Sequence, residues 1–416
     1  MTSKNSFQQV RLWMISEVYY PEDTGTGYYV TGVSQGLAWL FDVRVLCSQP
    51  TYAARGTVAP WTEIYRGVHI ERCRATTFNK DVLILRLVNV LTISLSLFWK
   101  ALLRIRRHDV VLVVTNPPLL PFGIAAICRL RGARCILRAD DVYPEIMTAT
   151  GLASPGSLTV RSLSVLTKRL YRNVDRIVVL GRDMAQLAKK KMGDVAKQIA
   201  IIPIWADLEL VRPSPRESNS LLHELDLVDK FVVQCAGNMG RAQGVENMLK
   251  AAQLLKAERD IHFLFIGAGA KRQWMEEEIR RQGLNNVTLL SQRPRSDQPV
   301  FLNGCDIAMV SLVSGMTGAA VPSRLYNIMA AGKPVLAIAN LESELSQVVQ
   351  EEQIGWSVLP DQPEKLAEIV LEAKSNRELL LRMGTRARHV AEAKYTPDRV
   401  INAYAELVSD VCGRAQ

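Results

Sequence analysis

The sequence runs to 416 residues, too long for one ordinary hydrophobic core, and its 48% hydrophobic and 22% charged content without a low-complexity tract excludes a disordered chain. Seven cysteines form no CxxC pair and sit in apolar contexts such as "VVQCAG", which excludes a disulfide framework and a cysteine-built zinc site. Net charge is +10, from 51 Lys and Arg against 41 Asp and Glu, which asks for an anionic partner; the aromatic interleaving of a base-stacking platform is missing, so no nucleic-acid partner is expected.

The opening segment "MTSKNSFQQVRLWMIS" has no cleavable apolar region and runs straight into a strand pattern, so a cytoplasmic chain is expected. Apolar runs of strand length then recur at 10–16, 42–48, 109–115, 133–139 and 175–181, each followed by a helical pattern. Continuous apolar strands separated by helices predict a parallel sheet covered on both faces.

After the first of these strands, "PEDTGTGYYVTG" crowds Gly25, Gly27 and Gly32 into the start of a helix. A dinucleotide-binding unit needs GxGxxG and an acid at the end of the second strand, whereas here the third glycine is late and Cys47 and Ser48 end that strand. The turn therefore either presents free N–H groups to an anion or sugar hydroxyl, or only permits close packing of strand and helix.

Further along, Arg86, Lys100, Arg104, Arg106 and Arg107 flank the uncharged run 87–99, and no acid interrupts 86–107. Thirteen uncharged residues fall short of the about 20 that span a bilayer. The segment is either an amphipathic helix on an anionic leaflet or a core-packed surface helix with a solvated basic end. A second basic stretch covers 161–197.

The strand and helix alternation pauses at 202–220 and resumes with strands at 230–237, 261–267, 286–292, 306–312 and 333–339, which predicts a second doubly wound domain. The expected architecture is α/β: a Rossmann-like domain at 1–205, another at 206–394, and a helix at 395–416 crossing back to the first. Ligand sites then belong at the carboxyl ends of the strands, on either side of a cleft.

Two turns in the second half carry chemistry. Gly237, Asn238 and Gly240 lie between a strand and a periodic helix, where glycines let a phosphate approach the backbone and Arg241 adds a cation. Ser323 and Arg324 precede the helix "RLYNIMAAG", where a hydroxyl and a guanidinium suit a diphosphate; ordinary N-capping by Ser323 is the alternative. In the first half, Asp140 and Asp141 follow the fourth predicted strand, and Asp141 either serves as a base or orienter at the cleft or caps the next helix. Five scattered histidines and the lack of a DxD loop predict neither metal nor cofactor.

With "AGNMGRAQGVENMLKA", "FIGAGAKR", "VPSRLYNIMAAGKPV" and "ESELSQVVQEEQIGWSVLPDQPEKLAEIV" in place, nearly the whole chain resembles the family 4 glycosyltransferases of the GT-B fold. "PEDTGTGYYVTGVSQGLA", "VTNPPLLPFGIAA" and "RADDVYPEIMTATGL" resemble the subgroup that builds colanic acid, O-antigen and capsule repeat units. The resemblance implies retaining transfer from a UDP- or GDP-sugar, without an obligatory metal, to a polyprenyl diphosphate-linked acceptor. It further implies a peripheral location at an anionic membrane surface, on the inner face of the plasma membrane.

By the same resemblance, Gly25 and Gly27 lie near the donor phosphates and acceptor, Arg241 and Arg324 meet the diphosphate, and Arg293 lies where the base is received. Asp141 matches the subgroup's D-x-aromatic-P pattern. The chain departs from the family at Ala319 and Asn327, where many members carry two glutamates, and at Gln243, where a lysine is common. Asn327 can still bond a ribose hydroxyl, and Glu342 or Glu344 offers a substitute carboxylate. A nucleotide-sugar 2-epimerase of the same double fold and a non-catalytic sugar-nucleotide-binding protein remain as alternatives.

Overall fold

The computed structural model describes residues 10–50, 57–78, 83–193 and 199–413. They form two compact units. The first takes the described residues of Met1–Pro144, Pro155–Pro203 and Asp398–Gln416, and the second takes Glu145–Ser154 and Ile204–Pro397.

The first unit is built on β1 (Arg11–Ile15), β2 (Asp42–Ser48), β3 (Thr62–Tyr65), β4 (Val68–Cys73), β5 (Val110–Val114), β6 (Arg134–Ala139), β7 (Arg176–Val179) and β8 (Ile199–Ile201). They form one sheet in the order β3-β4-β2-β1-β5-β6-β7-β8, parallel except where β3 runs antiparallel to β4. Every residue of β5, "VVLVV", is buried, as a central strand covered on both faces requires. The β3–β4 hairpin, absent from the sequence reading, alternates exposed and half-buried residues along β3 and turns at Arg66 and Gly67, both with positive φ.

Helices Leu83–Arg104, Leu120–Arg131 and Leu158–Asn173 carry the chain from β4 to β5, β6 and β7 in one direction, so right-handed crossovers stack them on the same face of the sheet. They touch in that order: Arg131 donates to the Leu102 carbonyl at 2.8 Å, and Arg129 donates to Asn173 Oδ1 at 3.2 Å. The first of them corrects an expectation. The 13-residue uncharged run lies within a helix of 22 residues, and among the described residues it is the one helix long and apolar enough to cross a membrane. It is nonetheless fastened to its unit, because Asn89 Nδ2 donates to the Phe78 carbonyl, Lys100 donates to the Arg72 carbonyl, and Arg104 pairs with Glu71.

The C-terminal helix Pro397–Gly413 also belongs to this unit. Ile401 stands against Gly36 of the helix Gly25–Leu37, Asp410 pairs with Arg176 at 2.5 Å, and the Tyr404 ring lies 6.0 Å from the Arg138 guanidinium.

The second unit comprises β9 (Phe231–Ala236), β10 (Ile261–Ile266), β11 (Val287–Leu290), β12 (Ile307–Ser311), β13 (Val335–Ile338) and β14 (Gly355–Val358). Its sheet is parallel throughout, in the order β11-β10-β9-β12-β13-β14. Phe263, Phe265 and Val233 from the strands meet Met248 and Leu249 from the helix Val245–Leu254 in its core. Each sheet thus reverses its strand order once, between β1 and β5 and between β9 and β12. Loops diverge at such reversals and leave room for a ligand at the strand carboxyl ends.

Candidate active site

In the first unit, the loops after β1, β2 and β5 are knitted together at the reversal. Glu17 N–H donates to the Asn116 carbonyl at 3.2 Å, and Ser48 N–H and Oγ–H both donate to the Glu17 carbonyl at 2.9 Å. Ser48, where a dinucleotide fold places its ribose-binding acid, is spent inside this knot. A buried Arg72 props the β1 loop from below, donating to the Tyr20 carbonyl at 2.7 Å and the Pro60 carbonyl at 2.6 Å while pairing with Glu63 at 2.5 Å.

Gly25 and Gly27 open the helix Gly25–Leu37, capped by Thr24, whose Oγ1 accepts from Gly27 N–H at 3.3 Å. That N–H is engaged, so the expected open donor at Gly27 is not there. The glycine serves packing instead: a β-carbon on it would stand 2.7 Å from the Glu22 carbonyl oxygen.

Beyond β6, Thr115 Oγ1 accepts from the N–H groups of both Asp140 and Asp141 at 3.1 Å, which fixes the two acids at the sheet edge. Their side chains have different surroundings. Asp140 pairs with the buried Arg138 at 2.7 Å, whereas burial, with the Asp140 charge adding to it, pushes the Asp141 carboxyl up to about 7. A carboxyl tuned this way is suited to exchanging or sharing a proton near neutral pH.

In the second unit, the β9 and β10 loops close on each other. Gly237 and Gly267 have φ of +131° and +159°, and a β-carbon at 267 would collide with the Gly237 carbonyl. The loop folds on its own bonds, with Gly237 N–H reaching Ile266, Met239 N–H reaching Ala268, and Gly240 N–H reaching Gln243 Oε1 at 3.0 Å. Gln243, which stands where the family favours lysine, thus braces the turn, and the Gly240 N–H is not open to a phosphate. Asn238 lends its carbonyl to Arg324, and Arg241 is exposed and joins none of the described ion pairs.

Arg324 opens the helix Arg324–Ala330 and crosses to that loop, its Nη2 donating to the Asn238 carbonyl at 3.2 Å and its Nη1 lying 3.6 Å from Cys235 Sγ. Arg388 holds the far end of this helix, donating to the Ala330 and Val211 carbonyls at 2.8 Å. Ser323 makes no capping bond, so the ordinary capping role weighed for it is not realised.

Several expected donor contacts lie elsewhere. Asn327 is buried, its Oδ1 accepting from Asp207 N–H at 2.9 Å and its Nδ2 donating to Gln298 at 2.8 Å, so its amide joins segments rather than facing a ribose. Ala319 is fully buried, and Glu344 is buried in the first turn of the helix Glu344–Glu351. The exposed carboxylate of the pair is Glu342, which lines a cavity of about 430 Å³ with Ser314, Asn340 and Asp361 beyond β12, β13 and β14. Arg293 follows β11 and pairs with Glu224 at 3.6 Å. Among the described residues, no three His, Cys, Asp or Glu side chains are grouped to hold a metal.

Two Rossmann-like units, each with its polar loops at the strand-order reversal, make this a GT-B chain. Residues 24–205 match the model of the glycosyl transferase 4-like domain, and residues 223–390 match that of glycosyl transferases group 1. A Pseudomonas aeruginosa protein named probable glycosyltransferase WbjE is 33% identical, over 86% of this chain and 88% of its own. The Escherichia coli (strain K12) protein named putative colanic acid biosynthesis glycosyl transferase WcaI is 27% identical, over 95% of this chain and 98% of its own. Anabaena Alr3699/HepE, solved with UDP and glucose, shares the fold with a TM-score of 0.73 at 15% identity, over 96% of this chain and 100% of its own. The chain belongs to the family 4 glycosyltransferases and is a glycosyltransferase.

Proposed function

We propose that this glycosyltransferase moves a sugar, with retention, from a UDP- or GDP-sugar to a polyprenyl diphosphate-linked acceptor during assembly of a bacterial surface polysaccharide, at the cytoplasmic face of an anionic membrane. The observation that carries the reading is Arg324, laid from the start of its short helix across the glycine loop at the reversal of the second sheet, while Arg388 holds the helix's far end. A cation held against a strand-end loop stabilises the charge that gathers on a diphosphate as it leaves. The UDP held by Alr3699/HepE, a protein of the same fold, agrees with a nucleotide donor.

In the proposed step the bond from the sugar C1 to the diphosphate oxygen breaks while the acceptor oxygen bonds C1 on the same face. The departing diphosphate takes up the acceptor proton, so no protein nucleophile is needed. Arg324 and the exposed Arg241 balance the leaving charge. Asp141 orients the acceptor hydroxyl or relays its proton. Glu342, at the cavity it lines with Ser314, Asn340 and Asp361, takes over contact with sugar hydroxyls that Ala319 cannot make. Transfer is proposed to need no metal, and full turnover in EDTA is the expected result.

Incubation of the purified protein with UDP- and GDP-sugars, with and without a lipid-linked acceptor, tests the reading by NMR of both products. Transfer with retained configuration, dependent on acceptor, supports it. Donor isomerised without acceptor would assign the chain as an epimerase, and donor bound but unchanged in both mixtures would assign it as a sensor.

A further inference from the structure

We infer that the amino-terminal edge of the second sheet carries a binding site for a small phosphate-bearing anion, at the opposite end of the strands from the candidate active site. The strands β11, β10 and β9 lie side by side there, and residues at or just before their starts line a cavity of about 350 Å³. Lys230 precedes β9, Arg259 and His262 stand at the start of β10, Lys256 follows the helix Val245–Leu254, and Asn286 precedes β11. A cavity of this size is within the about 300–1,000 Å³ of small-molecule pockets. The six residues of β10 put about 20 Å between this edge and the loops at its other end.

Charge assigns the ligand. None of the residues lining the cavity is acidic, and Lys230, Lys256 and Arg259 join none of the described ion pairs. The acids that flank Arg259 are spent elsewhere, since Glu258 and Asp260 both pair with Lys374, at 3.4 and 2.6 Å. Lys230 donates to the Arg259 carbonyl and Lys256 to the Gln282 carbonyl, each at 2.9 Å. One of its three protons anchors each ammonium, and two remain for a ligand. Like charges gathered on one cavity repel, and a multiply charged anion among them turns that cost into attraction.

The wall is set before a ligand arrives, which lowers the cost of binding. Asn286 Nδ2 donates to the Ala252 carbonyl and Phe263 N–H donates to the Asn286 carbonyl, both at 2.8 Å, while His262 Nε2 lies 2.8 Å from Thr288 Oγ1. Burial, and then the Lys230 charge, pushes the His262 imidazole down to about 4, so at neutral pH the ring adds no charge of its own. No Phe, Tyr or Trp lines the cavity to stack on a base, so the cations select for phosphate rather than for a nucleobase. The site stands apart from the proposed transfer reaction and is read without it.

Calorimetric titration of the whole chain with inorganic pyrophosphate tests the site. Because a diphosphate is also proposed at Arg324, Arg324→Ala is titrated beside wild type, and a binding event common to both is expected. Lys256→Gln with Arg259→Gln is expected to weaken that event about tenfold or more. Lys189→Gln with Lys190→Gln removes the same charge from the helix Arg182–Met192 and should leave it unchanged. All four positions are exposed, so circular dichroism should match wild type in both pairs. In spectra of the chain carrying 13C-labelled histidine, the His262 signal, assigned through His262→Asn, should shift as pyrophosphate is added. No event in Arg324→Ala, full affinity in the Lys256 and Arg259 variant, equal weakening by the Lys189 and Lys190 pair, or a His262 signal that stays in place would each overturn the proposal.

Discussion

Arg324 rests on Gly237: a side-chain carbon at position 237 would stand 3.1 Å from the Arg324 guanidinium carbon. The glycine and the arginine are therefore one device, a bare backbone that leaves the cation room to lie flat on the loop. Arg324→Ala is expected to lower kcat by about a hundredfold, on the order of 3 kcal/mol in the barrier. The melting temperature should move little, because the lost bond to Asn238 is worth about 1 kcal/mol. Gly237→Ala should weaken turnover in the same direction by displacing the guanidinium, and steady-state kinetics beside thermal unfolding separates these effects.

Asp141 gives a pH signature. Its carboxyl titrates near 7 when folded and near 3.8 otherwise, so the folded chain holds more protons between those values. Folding stability from this group is then greatest at low pH and falls as pH rises from about 4 to about 7. Asp141→Asn should remove that fall, as read from urea midpoints at about pH 5 and about pH 8. The wild-type kcat/KM should rise through an apparent pKa near 7 as the carboxylate forms. The Asn variant should be slower and flat across the same range.

Asn327 is expected to report on architecture. Asn327→Ala leaves the half-buried Asp207 N–H without its partner, which costs about 1 kcal/mol of stability. Nucleotide affinity should hold in the folded variant. A weakened nucleotide Kd with an unchanged unfolding midpoint would return the residue to the ribose.

Arg138, fully covered between Asp140 and Tyr404, is a stability element. Removing one partner of a covered ion pair strands the other, so Arg138→Met should destabilise the chain by about 3–5 kcal/mol in denaturant. Adding Asp140→Asn to the same chain should recover much of that loss. No recovery would mean that the Tyr404 contact, rather than the charge pair, holds the site together.

Some of this was legible in the sequence, for reasons that differ by residue. β2 occupies 42–48 as its apolar run foretold, and "VVLVV" could only be a doubly covered strand. The β3–β4 hairpin escaped because "TEIY" and "VHIERC" mix polar and apolar residues, which suits a sheet edge with one wet side. The short β8 and β14 carry too few residues for a period to show. The strand-end positions of Arg324 and Asp141 followed from chain order alone. Asn327 did not, because the residue that takes its amide, Asp207, is 120 positions away. Glu342 and Glu344 differ by two positions and have opposite exposure, a difference fixed by where the next helix begins. The Arg138, Asp140 and Tyr404 cluster left no local trace, since its third member comes from the last helix.

That last helix has a consequence for biogenesis. The segment Asp398–Gly413 belongs to the first unit but is synthesised after the whole of the second. Tyr404 and Asp410 therefore reach Arg138 and Arg176 only after every residue of the second unit has been made. A nascent chain thus holds Arg138 without its Tyr404 contact until the second unit's residues have all been made, so the unit begun first is the one completed last.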